Sequence, residues 1–139
     1  MNTSSILFVK KLTKKVLKIK DIHETWGIYS HAILADKFLF ISGQVALDKE
    51  GKVVGKGNIE AQTEQVMKNI DKILSTVGAT FNDIIKIRIH LTNLNNRAAF
   101  HKVREKYFKK NLPVSTLVIV ESLIDKDLLV EVEAIAFVN

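Results

Sequence analysis

The 139-residue sequence has no cysteine, one proline (Pro113), six glycines and only 7% aromatic residues. Without cysteine there is no disulfide, thiolate nucleophile, Cys-ligated zinc or iron–sulfur cluster, and a reducing, cytoplasmic setting is expected. With one proline and no Pro/Gly/Ser-rich stretch, no interdomain linker is visible, so one domain is expected. No run approaches the ~18 consecutive apolar residues of a membrane span. Ile6-Leu7-Phe8-Val9 is too short for the core of a secretory signal.

Acid is also missing from one place. Residues 1–20 hold six lysines and no Asp or Glu, which leaves 15 basic against 15 acidic residues in the rest of the chain. The net charge of +6 therefore belongs to the N-terminal segment. A nucleic-acid-binding domain carries its basic stripe across the folded surface, and the neutral body lacks one. Residues 1–13 are expected to form a basic arm and residues 14–139 a single domain. The arm, with Thr3, Ser4, Ser5 and Thr13, loosely suits an organelle presequence, so a mitochondrial or other organellar location is the alternative to the cytoplasm.

The apolar pattern predicts the elements. Lys15–Lys20 alternates as an edge strand, with Leu17 and Ile19 on one side. Residues 29–35 and 38–45 form two strands around the turn Asp36-Lys37. Asn58 caps a helix bearing Val66, Met67, Ile70, Ile73, Leu74 and Val77, with Gly78 as its stop. In 84–92, Ile85, Ile87, Ile89 and Leu91 share one face, and Lys86, Arg88, His90 and Thr92 the other. Asn95 or Asn96 caps a second helix that buries Ala99, Phe100, Val103 and Tyr107. A strand at Thr116–Val120 follows Pro113, and 129–138 alternates with Glu131, Glu133, Ile135 and Phe137 on one face.

The order β-β-β-α-β-α-β-β describes an α+β domain, a mixed sheet with two helices able to cover only one face. The uncovered face keeps Leu117 or Val118, Ile135 and Phe137, and exposed apolar patches of this kind mark interfaces. A homo-oligomer with sheets packed together is expected. Burying each such side chain contributes about 1.5–3 kcal/mol.

Chemistry is sparse. Gly51–Gly57 is one residue short of a phosphate loop and lacks its Ser/Thr, so a hairpin loop is the better reading. His23, His31, His90 and His101 have no metal-ligand spacing, and no metal is expected. Ser42, in Ile41-Ser42-Gly43-Gln44, lies outside the Gly-x-Ser-x-Gly elbow. Glu131 and Glu133 are more informative, because two carboxylates on one strand face entering an interface are costly unless paired or partly protonated. One of them is a candidate for orienting or deprotonating a water. A structural ion pair with Arg88 or Lys86 explains the same spacing equally well.

The ordered set Gly27-Ile28-Tyr29-Ser30-His31-Ala32, Ile41-Ser42-Gly43-Gln44-Val45, Gln65–Gly78, Leu91-Thr92-Asn93-Leu94-Asn95, Tyr107-Phe108, the segment after Pro113 and Glu131-Val132-Glu133-Ala134-Ile135-Ala136 resembles the RidA/YjgF family of imine deaminases. The resemblance runs from about residue 14 to the C-terminus. It implies a chorismate-mutase-like fold with a six-stranded sheet, a homotrimer with sheets inside, and an intersubunit cleft for small imine, enamine or keto-acid ligands. It also implies cofactor-free hydrolysis of 2-aminoacrylate-type intermediates to a 2-keto acid and ammonia. By position, Glu131 would hold the attacking water, Tyr29 would border the ligand, and Ser42 and Gly43 would form the pocket wall.

The pattern breaks after Pro113. Ser115 stands where the family places an arginine that grips the substrate carboxylate in a bidentate pair, and losing such a pair costs about 1.5–3 kcal/mol. Ile28 replaces a proline, His31 a glutamine and His101 an asparagine, and the Ser115–Glu131 spacing is one residue longer. A protonated His101 or Arg88 is the candidate substitute for the missing charge. Two further readings stay open. One is a non-catalytic trimer that binds a metabolite or protein in the same cleft. The other is an RNA-acting endoribonuclease or translation inhibitor, which the neutral body and lack of a stacking platform disfavour except for weak binding through the arm.

Overall fold

The computed structural model describes residues 10–139. Its strands are β1 (Lys14–Val16), β2 (Ala32–Ala35), β3 (Phe38–Val45), β4 (Ile84–Leu91), β5 (Val114–Ile119) and β6 (Val130–Phe137). Helix α1 (Ile59–Ser75) follows β3, and α2 (Arg97–Arg104) joins β4 to β5. The element order is the expected one. One sheet contains all six strands in the order β1-β2-β3-β6-β4-β5. Only β4 and β5 run parallel, and α2 makes the crossover such a pair requires. Of the arm expected over 1–13, residues 1–9 lie outside the described range, while Lys10 reaches Asp36 (3.3 Å). Among the described residues no helix is long and apolar enough to cross a membrane.

Local chemistry explains the ends of α1. Asn58 Oδ1 accepts from the Ala61 N–H at 3.0 Å, and Glu60 lies in the positively polarised first turn. At the other end Gly78 takes φ +71°, which lets the Ala79 N–H close back on the Leu74 carbonyl. Helix α2 differs from expectation. Asn93, rather than Asn95 or Asn96, supplies the cap, accepting from the Asn95 N–H at 2.9 Å and starting a 3-10 turn at Leu94–Asn96. That turn leads straight into α2, so Asn96 makes no side-chain cap. Glu64 ties the helices together by accepting from Lys106 Nζ (2.6 Å) and Tyr107 Oη (2.5 Å).

The core lies between the helices and one sheet face. Ile70, Ile73 and Leu74 of α1 and Phe100 of α2 meet Ile87, Ile89, Val130 and Val132, all fully buried. Strand β6 alternates as expected, with Val130, Val132, Ala134 and Ala136 inward. Strand β4 departs at Ile85. The pairing with β6 shifts between Ile84 and Lys86, and this bulge turns Ile85 out to 44% exposure. Strand β5 starts two residues before the expected Thr116. Its register pairs Val118 with His90 and Leu117 with Ile89, so Val118 belongs to the uncovered face and Leu117 to the helix side. Strand β1 is shorter than Lys15–Lys20, and β2 starts at Ala32 rather than residue 29.

The uncovered face carries Phe38, Phe40 and Phe137, 37–46% exposed. Phe38 and Phe137 pair across strands with centroids 5.3 Å apart, edge to face. The outer strands differ in charge: β1 presents Lys14 and Lys15, whereas β5 has no charged residue.

Candidate active site

A bulge in β3 builds the site. Ile41 pairs with Ala134 and Gln44 with Val132, so Ser42 and Gly43 together oppose Glu133 alone. The extra residue bends the strand and places Gly43 beneath the side chain of Glu131. A Cβ on Gly43 would overlap Glu131 Oε1 and come within 2.8 Å of the carboxyl carbon. Glycine is needed here for space, not for an unusual backbone angle. Gly43→Ala should therefore displace the Glu131 carboxyl, lowering kcat of any reaction that depends on it at least tenfold while the melting temperature changes little. Activity and thermal unfolding of the same preparation check this. Full activity in the alanine variant would show that the contact does not matter.

Glu131, Gly43 and Ser42 border a cavity of about 240 Å³ together with Tyr29, Trp26 and His23. Four of the expected site residues, Glu131, Tyr29, Ser42 and Gly43, are thus brought together. Burial pushes the Glu131 carboxyl above its ordinary range. Neighbouring Glu133 adds to this effect and His90 opposes it. Ser42 Oγ donates to the Ser30 carbonyl at 2.7 Å, which fixes the wall of the cavity. Tyr29 Oη accepts from the Trp26 N–H at 3.3 Å, folding the loop ahead of β2 over the opening. A second basin of about 280 Å³ lies on the same sheet face between Phe40, Arg88 and Glu133, and Ser42 borders both.

The loop is held by buried polar groups that the sequence reading left without a role. His31 Nε2 donates to the His23 carbonyl at 2.7 Å, and His31 Nδ1 is left to accept from Gln44 Nε2 at 3.4 Å. The His23 and His31 rings meet edge to face at 4.8 Å. His23 is 4% exposed and its Nε2 has no hydrogen-bond partner. No spacing in the sequence marks this pair; only the loop's path brings the rings together.

Burial lowers the pKa of His31 below 6.5. The unfolded chain then takes up the proton more readily than the folded one, so stability is complete above about pH 6.5 and declines as the pH falls below it. His31→Gln keeps a donor for the His23 carbonyl but cannot titrate. Its melting temperature should fall less than that of the parent between pH 7.5 and pH 5, and parallel curves would exclude His31 as the cause.

Ser115 and His101 are not brought to this cavity within one chain. Ser115 lies on β5, two strands from β6, and pairs with Ile87, which places it on the helix side. There its Oγ accepts from Arg104 Nη1 at 3.2 Å. Arg104 lies over the Phe108 ring at 5.3 Å, and among the described residues no carboxylate is within 4.0 Å of it. A guanidinium therefore reaches the Ser115 position from helix α2, which the sequence reading missed. His101 packs against Phe100, and burial, then Arg97 and Arg104, lower its pKa, so it is a poor substitute cation. Arg88 faces Glu133 on the uncovered side. Among the described residues no group of three His, Asp or Glu side chains is arranged to hold a metal.

The model of the family described as Endoribonuclease L-PSP matches residues 20–138. A RutC family protein of Pyrococcus horikoshii is 42% identical over 125 residues, covering 89% of this chain and 98% of its own. The 2-iminobutanoate/2-iminopropanoate deaminase of Homo sapiens is 28% identical over 128 residues, covering 92% and 93%. The crystal structure of a conserved Rid family protein from Yersinia pestis superposes with a TM-score of 0.84 at 38% identity, covering 91% of this chain and all of that one. With a six-stranded mixed sheet, two helices on one face and a family match across nearly all of its length, the chain belongs to the Endoribonuclease L-PSP family, the RidA/YjgF group its motifs resemble.

Proposed function

We propose that the chain hydrolyses small 2-imino acids and their enamine tautomers to 2-keto acids and ammonia, in a cleft completed by a homotrimer. The single observation that carries this reading is Glu131: a half-buried carboxyl, fixed over Gly43 and facing a cavity beside Tyr29. Starting from the iminium form, water adds to the C=N carbon as Glu131 takes its proton. Glu131 then returns that proton to nitrogen, and the adduct collapses as its hydroxyl proton passes to the carboxylate and ammonia leaves. Glu131 finally gives up this last proton, so one water is consumed and ammonium is the nitrogen product. A placed base of this kind contributes about 10²–10⁴-fold. No cofactor is required by these steps.

The trimer places the exposed phenylalanines of the sheet face in contact with one another, which accounts for their position. The substrate carboxylate is assigned to Arg104 of an adjacent subunit, because within one chain this guanidinium bonds Ser115 on the helix side and does not border the Glu131 cavity. Arg104→Gln should raise KM for 2-iminopropanoate about tenfold to a hundredfold, the value of one charge-assisted pair. Steady-state kinetics on a neutral imine, which should change little, separate this from a folding defect.

The decisive experiment adds the purified protein to a reaction that generates 2-aminoacrylate and follows ammonia release. Acceleration supports hydrolysis, and none across several amino-acid-derived imines overturns it. Ser115 favours a second reading, a trimer that only binds a metabolite or protein there. Thermal stabilisation by keto acids without turnover, together with activity gained in Ser115→Arg, would establish that alternative.

A further inference from the structure

The basin between Phe40, Arg88 and Glu133 takes no part in the steps assigned to Glu131, and the two cavities share only Ser42. Strand register gives the basin two unlike halves. Ile33 of β2 pairs with Phe40 of β3, and Phe40 with Ile135 of β6, so three apolar side chains cross the sheet in one row. That row ends on β4, where Lys86 pairs with Ile135. In the adjacent row Arg88 stands opposite Glu133. Ser42 closes the other side, its hydroxyl already committed to the Ser30 carbonyl. The polar donors left facing the basin are therefore the two cations of β4.

Charge at this edge is unbalanced. Lys86 and Arg88 are exposed, and among the described residues no carboxylate lies within 4.0 Å of either side chain. Glu133 is the only acid bordering the basin, so two cations stand against one carboxylate. The proposed trimer covers this face, and covering an unpaired charge is costly unless a counter-charge comes with it. A volume of about 280 Å³ lies at the small end of ligand pockets and suits a molecule of a few heavy atoms, not a peptide. We propose that this basin is a binding site for a small monocarboxylate with a short apolar body. Its carboxylate lies between Lys86 and Arg88, and its carbons lie over Ile33, Phe40 and Ile135. Arg88 offers the carboxylate a planar fork and Lys86 a point charge, while the apolar row takes the carbons out of water. Inorganic phosphate meets the same cations but has nothing to lay on the apolar row.

The inference takes the covered face from the proposed trimer but no step from the hydrolysis. Butanoate is the probe, followed through the isoleucine δ1-methyl resonances of the whole chain. The Ile33 and Ile135 methyls should shift and saturate in the millimolar range. Butanamide, the same shape without the charge, should bind about tenfold more weakly. Arg88→Gln should also weaken butanoate about tenfold and Lys86→Gln should act in the same direction, whereas Arg104→Gln, altered on the helix side, should not. If Arg88→Gln does not fold, Lys86→Gln and butanamide decide. No saturable shift at Ile33 and Ile135 overturns the proposal, whether the basin holds only solvent or is filled by a neighbouring subunit. Butanamide or inorganic phosphate binding as well as butanoate overturns the assigned chemistry. Saturation in a protein inactive on every imine leaves this site standing and overturns the hydrolytic reading. Activity without saturation does the reverse.

Discussion

Glu131→Gln should lower kcat for 2-iminopropanoate hydrolysis by about 10²–10⁴-fold, with KM nearly unchanged, because the amide can neither take a proton from water nor return it to nitrogen. The same substitution should not destabilise the protein at neutral pH. The folded-state pKa of Glu131 lies above its unfolded value, so the folded chain holds this proton more tightly. Stability is lost as the pH rises through the window between the two values. A neutral glutamine avoids it. The expected result is an inactive protein that melts at or above the parent's temperature at pH 7, with the advantage vanishing near pH 4. A large drop in melting temperature would mean that the carboxylate is a structural partner, and unchanged kcat would remove Glu131 from the chemistry.

In the proposed trimer, Phe40→Glu should separate the subunits and abolish activity with them. Phe40 lies in the middle strand of the exposed apolar face and borders the larger basin. Each phenylalanine buried between subunits contributes about 1.5–3 kcal/mol, and a trimer repeats the loss at every copy. The substituted carboxylate adds the cost of burying an unpaired charge. Sedimentation velocity should give three times 15.7 kDa for the parent and 15.7 kDa for the variant. Because the substituted side chain points away from the helices, the fold of each subunit should survive, visible as an unchanged far-ultraviolet spectrum. A parent that sediments as a monomer, or a variant that stays trimeric and active, would overturn the intersubunit cleft.

The regular parts of this fold were legible because one rule governs each of them. Strand β6 alternates without interruption, and Asn58 and Gly78 bracket α1 by side-chain capping and a left-handed turn. The irregular parts obeyed rules the pattern does not carry. A bulge flips the parity of a strand, so Ile85 left the core face that its spacing assigned to it. The bulge at Ser42-Gly43, by contrast, created the floor beneath Glu131, and nothing in Ile41-Ser42-Gly43-Gln44 distinguishes it from a plain strand end. Arg104 reaches Ser115 only because the β4-α2-β5 crossover lays the helix over that strand. His23 and His31 are eight positions apart in a loop and meet through its path, not through any periodicity. The residues that motif order singled out were found together where they share β3, β6 and the preceding loop. Ser115 was not, since β5 lies beyond β4.

The two outer strands have unequal protection. Lysines at β1 discourage a stranger's backbone from docking, whereas the open rim of β5 offers six uncharged residues, most of them β-branched, with nothing to repel an incoming chain. Dilution that separates the proposed trimer would then leave a sticky border beside a bare aromatic surface. Loss of soluble material on long storage at low concentration should accordingly be relieved by a single lysine at Thr116.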